Sequence, residues 1–121
     1  MLSDQMTGKV VFEPGTYRKV WLTVSPDIID KVQELENSLK PENPAGEWKS
    51  CIMRHEQFPP RLAVKVSKSV LRTLPNRGAT VAFTVRTPTE HWDFMSYSGI
   101  TLQATSFEVI DSGDIEYNKR F

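Results

Sequence analysis

Residues 16–24 read TYRKVWLTV, and the fold of the chain turns on how this stretch sits. Side chains of a strand alternate between its two faces. As a strand, the segment sends Val20, Leu22 and Val24 one way and Tyr17, Lys19, Trp21 and Thr23 the other. One face is aliphatic and suits a core. The opposite face sets two large aromatics about a lysine, where a solvated face would carry Thr, Lys, Glu and Ser. It is either a second packing layer or a surface on which flat ligands stack.

The next residues predict a helix over 26–40. Ser25 can cap the free N–H groups, Pro26 suits the first helical position, and Asp27 and Asp30 favour the positive end of the dipole. Ile28, Ile29, Val32, Leu35 and Leu39 follow helical spacing and form one apolar stripe. Glu34, Glu36 and the other charges are expected on a solvated face. Lys40-Pro41 stops the helix. On the N-terminal side, KVVF (9–12) predicts a short strand that ends at the Pro14-Gly15 turn.

Toward the C-terminus, Trp48–Met53 (WKSCIM) predicts another strand and QFPP (57–60) a break. RLAVKVSK (61–68) alternates, with Leu62, Val64 and Val66 inward and Arg61, Ala63, Lys65 and Ser67 outward. A turn at Pro75-Asn76-Arg77-Gly78 leads into ATVAFTVR (79–86), whose Val81, Phe83 and Val85 share a face. His91–Gly99 (HWDFMSYSG) concentrates Trp92, Phe94 and Tyr97 and predicts an aromatic loop, with Met95 as its inward anchor and Asp93 turned aside. The last long strand is Ile100–Ile110. Ile100, Leu102 and Ala104 share one parity and Phe107 and Val109 the other, so a bulge near Ala104-Thr105 is expected. The fold class is therefore mainly β (all-β): about five or more strands with one inserted α-helix. A small closed or partly open barrel accounts for so few strands by removing most edges. A β-sandwich is the alternative.

At 121 residues, the chain is expected to form one domain with a real core. Its single cysteine, Cys51, excludes an intrachain disulfide and suits a reducing, cytoplasmic setting. MLSDQMTGKVV lacks a charged start followed by an apolar run, so no signal peptide is expected. No run approaches ~18 apolar residues, so no membrane span is expected.

Formal net charge is zero, but the charge is segregated. Between positions 49 and 86 stand Lys49, Arg54, Arg61, Lys65, Lys68, Arg72, Arg77 and Arg86 against Glu56 alone, a net of +7. Residues 1–48 carry −3 and residues 87–121 carry −4. The basic stretch either solvates outward faces or attracts a polyanion.

Reactive constellations are scarce. Two scattered histidines, His55 and His91, and one cysteine do not make a zinc set. Cys51 in the apolar context CIM fits a buried small hydrophobe. The glycines are isolated, so there is no phosphate-cradling loop. No catalytic activity, metal or organic cofactor is expected.

Binding to single-stranded nucleic acid needs a basic groove for phosphates and aromatic faces for unpaired bases. Both ingredients are present. The candidate phosphate contacts are Lys19, Lys49, Arg54, Arg61, Lys65, Lys68, Arg72 and Arg86. The candidate stacking residues are Tyr17, Trp21, Trp92, Phe94 and Tyr97. Barrels of the OB type bind oligonucleotides on one sheet face and with two of their loops.

The segment Arg61–Gly113 resembles the C-terminal half of phage-type single-stranded-DNA-binding proteins with an OB fold. RLAVKVSKS looks like the basic third strand, and RGATVAFTVRT like the strand that a glycine introduces after a turn. YSGITLQATSFEVIDSG is similar to the glycine-led last strand. An early strand followed by the helix Pro26–Lys40 agrees with that order. The resemblance covers about half the chain. It implies a five-stranded OB-fold-like domain over 1–113 and a short C-terminal tail over 114–121. It also implies a non-enzymatic protein that coats single-stranded DNA without sequence specificity during viral DNA replication or recombination. Implied partners are single-stranded DNA, then replication or recombination proteins and a second copy of the chain, without a membrane. The tail departs from the family's long acidic pattern: Lys119 and Arg120 follow Asp111, Asp114 and Glu116. The alternative function is a small β-barrel protein-interaction module, such as a phage structural or host-inhibiting protein, whose aromatics would be a binding hot spot.

Overall fold

The computed structural model describes residues 4–12, 18–43, 46–72, 77–87 and 89–111. Tyr17, the Pro14-Gly15 turn and the tail 114–121 lie outside these residues. The architecture is mainly β with one principal helix.

Strand β2 (Lys19–Val24) sits inside the larger sheet, and its alternation is as expected. Val20 and Leu22 are fully buried, while Lys19, Trp21 and Thr23 face outward. Burying such side chains stabilises the fold by roughly 1.5–3 kcal/mol each. β2 pairs antiparallel with β1 (Met6–Phe12) on one side and β5 (Arg61–Lys65) on the other. β4 (Ile52–Met53) pairs with β5, β6 (Thr80–Val85) with β1, and β9 (Ala104–Asp111) with β6. The order β4-β5-β2-β1-β6-β9 makes one six-stranded antiparallel sheet among the described residues.

Helix α1 (Pro26–Leu39) begins as expected, with Ser25 Oγ accepting the Ile28 N–H at 3.4 Å and Pro26 in the first turn. Ile29 and Val32 join the sheet's aliphatic face in one core with Val10, Leu62, Val64 and Phe83.

A second sheet, order β3-β8-β7, contains β3 (Glu47–Lys49), β8 (Tyr97–Thr101) and β7 (Glu90–Phe94). β3 runs parallel to β8, and β7 antiparallel to it. Four expectations change here. The stretch 48–53 is not one strand: Ser50-Cys51 divides it between two sheets. The strand at 61–68 ends at Lys65, and Lys68 opens the short helix α2 (Lys68–Arg72). The aromatic loop is a hairpin, β7–β8. The last long strand is broken at Leu102-Gln103, where the chain passes from the small sheet to the large one. The expected bulge does occur: Thr84 faces Ser106 and Val85 faces Ala104, so Thr105 is the extra residue.

The sheets do not close into a barrel. The link between them is held to the large sheet where the Lys65 N–H donates to Leu102 O at 2.8 Å, the Arg86 N–H donates to Gln103 O at 2.8 Å and Lys65 bridges Gln103. No helix among the described residues is long and apolar enough to cross a membrane.

Candidate nucleic-acid interface

The outward face of the β2–β5 ladder is written by its register. Lys19 stands opposite Lys65, Trp21 opposite Ala63, and Thr23 opposite Arg61. The inward pairs, Val20 with Val64 and Leu22 with Leu62, fix that register by burial, since a one-residue slip would turn the lysines into the core. Like charges directly opposite each other on a sheet face are destabilising. The Lys19–Lys65 pair therefore costs stability in the unliganded protein.

The hairpin supplies the second wall. Trp92 faces Gly99 and Phe94 faces Tyr97, so all three aromatics share one side of β7–β8. Asp93 faces Ser98 on the opposite side, where its carboxylate lies 3.8 Å from His91 Nδ1. Gly99 makes room for the indole: a Cβ there would lie 3.0 Å from Trp92 Cζ2 and 2.6 Å from Lys49 O. Phe94 is 61% exposed and Tyr97 40%. Met95 is not an inward anchor. It is 87% exposed and sits at the hairpin tip with φ 55. A two-residue connection needs a positive φ to match strand twist, and Met95 supplies it at the tip. Lys49 enters from β3 beside Gly99, with its ammonium 4.8 Å above the Tyr97 ring and 3.6 Å from Glu47.

The two walls meet at a shallow, open depression. Lys19, Lys49, Lys65, Trp21 and Trp92 line it, over a floor of Ser50, Cys51, Ala63, Ile100, Thr101 and Leu102. No carboxylate is in this lining. Among the described residues, no carboxylate lies within ion-pair reach of Lys19 or Lys65. Lys19 and Lys65, with Lys49 beside its Glu47 partner, surround one concave floor of mixed polarity and give it a positive field that water screens less than on a flat surface.

The floor is held from behind by Glu36, which is not on a solvated face. It is 3% exposed. Its carboxylate accepts the Ser50 hydroxyl at 3.0 Å, the Cys51 N–H at 3.2 Å and the Cys51 thiol at 3.5 Å. A buried carboxylate is tolerated when donors surround it, and these three bind α1 to the link between the two sheets. Burial pushes the Cys51 thiol up, with the Glu36 charge and hydrogen bond adding to the effect. Cys51 is thus a protonated floor residue at neutral pH, not a thiolate.

The remaining candidates lie elsewhere. Arg61 shares the outward parity of Lys65 at the other end of β5. Arg54 reaches back to α1, donating to Gln33 Oε1 at 3.1 Å. Arg86 is paired with Glu90 at 2.8 Å. Lys68 and Arg72 are exposed at the two ends of α2. Two outward residues escape a reading of the sequence alone. Lys9 stands opposite Thr23 on β1 and extends the basic face. Phe58 is 50% exposed beside Arg61, although it sits in a segment that reads as a break. Strand parity was the available signal for Lys9. For Phe58 there was none beyond an aromatic between polar residues.

Among the described residues, no group of three or more His, Cys, Asp or Glu side chains is placed to hold a metal ion. No protein-family model, curated protein or solved structure matches the chain. The arrangement can hold an anion among the lysines while a planar group packs against Trp21 or Trp92.

Proposed function

We propose that the protein binds single-stranded DNA without sequence specificity and coats it during viral replication or recombination, with no catalytic step. One observation carries this: Lys19 and Lys65 face each other in a depression that Trp21 and Trp92 also line, with no carboxylate in the lining. A polyanion with flat, unpaired bases relieves the lysine repulsion and uses both indoles. Lys49 and Arg61 serve phosphates along the same track. Phe94 and Tyr97 extend the stacking surface along the hairpin. Sequence tolerance follows because every base has a π-face.

We read the strands β5-β2-β1-β6-β9 as a partly open OB-type barrel of five strands. The Lys65–Gln103 bridge supports this by bringing β5 to the residue before β9. The resemblance of residues 61–113 to phage-type single-stranded-DNA-binding proteins supports the same reading.

The test is a gel-shift titration of the full chain with oligo-dT, the matching duplex and oligo-rU at moderate salt. Oligo-dT is expected to shift at the lowest protein concentration. Equal or tighter duplex binding would overturn single-strand recognition. Absence of any shift would overturn nucleic-acid binding altogether.

A further inference from the structure

A second aromatic group lies at the end of β5 remote from Lys65. Phe58 is half exposed, and the Arg61 guanidinium carbon is 5.1 Å from its ring centroid. The His55 ring stands 5.1 Å from Phe58, tilted by 40°. The Gln57 N–H donates to His55 Nδ1 at 3.1 Å, which fixes that imidazole. Met53, opposite Arg61 in the ladder, is also exposed. These side chains thus present an apolar, aromatic surface around one guanidinium.

Arg61 shares the outward face of Lys65, four residues along the strand. That separation is ~13 Å at ~3.3 Å per residue. A stacked nucleic-acid strand advances ~3.4 Å per nucleotide. A strand seated at Lys65 and keeping that spacing therefore reaches Arg61, whose guanidinium lies against Phe58, after about four nucleotides. Resting on the single-strand reading above, we infer that Phe58, His55 and Arg61 form a second nucleobase subsite, about four nucleotides from the lysine–tryptophan depression. A base stacks on the open surface of Phe58, and Arg61 adds a cation–π contact and meets the adjoining phosphate.

The subsite makes the effect of Phe58 depend on oligonucleotide length. The experiment measures affinity for dT oligomers of rising length with the wild type, Phe58→Ala, Phe58→Trp and Trp92→Ala. The wild-type to Phe58→Ala affinity ratio is expected near one at the shortest length that binds. It should climb to about five-fold or more once the oligomer spans both subsites. Phe58→Trp should restore long-oligomer binding, and Trp92→Ala should weaken every length. A Phe58→Ala ratio near one at all lengths, with Trp92→Ala still impaired, would overturn the second subsite and leave the depression intact. A ratio above one that does not change with length would also overturn it, because Phe58 would then act through the fold. Failure of the wild type to bind any oligomer would overturn both readings.

Discussion

Two groups of basic residues in this protein differ in what surrounds them. Arg54 and Arg86 are exposed and have local partners, Gln33 and Glu90. A surface ion pair such as Arg86–Glu90 contributes about 0–1 kcal/mol. Lys19 and Lys65 stand across a ladder from each other, beside two indoles and with no carboxylate in the shared depression. The charge count of the 49–86 segment treats Arg54, Lys65 and Arg86 alike and leaves out Lys19. The structure separates arginines held by a local hydrogen bond or ion pair from lysines set opposite each other, and the second kind marks where an anion is expected.

The largest effect should come from Trp92, on the hairpin wall of the depression. Trp92→Ala is expected to weaken oligo-dT binding by ~1–3 kcal/mol, the worth of one stacked base. Its melting temperature should stay near wild type, because the indole lies partly open over Gly99. Binding titrations and thermal melts on the same preparation check both halves. A variant that melts far earlier but binds normally would return the hairpin to the core.

The lysines come next. Lys19→Ala or Lys65→Ala should each flatten the slope of log K against log salt by about 0.7. Each should also leave stability equal or raise it by a few tenths of a kcal/mol, since the cross-strand repulsion is relieved. Weaker binding with greater stability is a signature that a structural lysine would not give. Arg54→Ala and Arg86→Ala should change the slope by less than either lysine. A slope change equal to that of Lys65→Ala would break the distinction between the two groups.

Beneath the lysines, the Cys51 thiol offers a smaller effect. Its pKa is raised in the fold by burial and then by Glu36, outweighing the lowering effect of Lys19. A raised pKa in the fold means the contribution is complete below the unfolded thiol value, about 8.5, and is lost as pH climbs above it. Denaturant melts should show an alkaline loss of stability that Cys51→Ala lacks. A wild type as stable at pH 10 as at pH 7, relative to Cys51→Ala, would contradict the buried thiol.

Much of this arrangement was legible in the residues themselves. The alternation in 19–24 and 61–65, the Ser25 cap and the parity switch that demands a bulge at Thr105 are local signals, and each is written within a few positions. What was not legible depends on residues far apart. Glu36 reads as solvated because its donors, Ser50 and Cys51, arrive from a different segment. The pairing of β3 with β8 joins residues about fifty positions apart, and no local periodicity encodes it. Met95-Ser96 lacks the Asn-Gly or Asp-Gly signal of a tight hairpin, so the stretch reads as a loop. Its three aromatics fall on one side only once Phe94 is set opposite Tyr97.

The most direct measurement is a tryptophan-fluorescence titration of the full chain with oligo-dT across a salt series. Trp21 and Trp92 line the depression together with Lys19, Lys49 and Lys65. Quenching should therefore accompany binding, and log K should fall with log salt at a slope of about −3, the three lysines and Arg61 contributing about −0.7 each. Binding that ignores salt, or that leaves tryptophan emission unchanged, would contradict the assignment of this depression as the nucleic-acid interface.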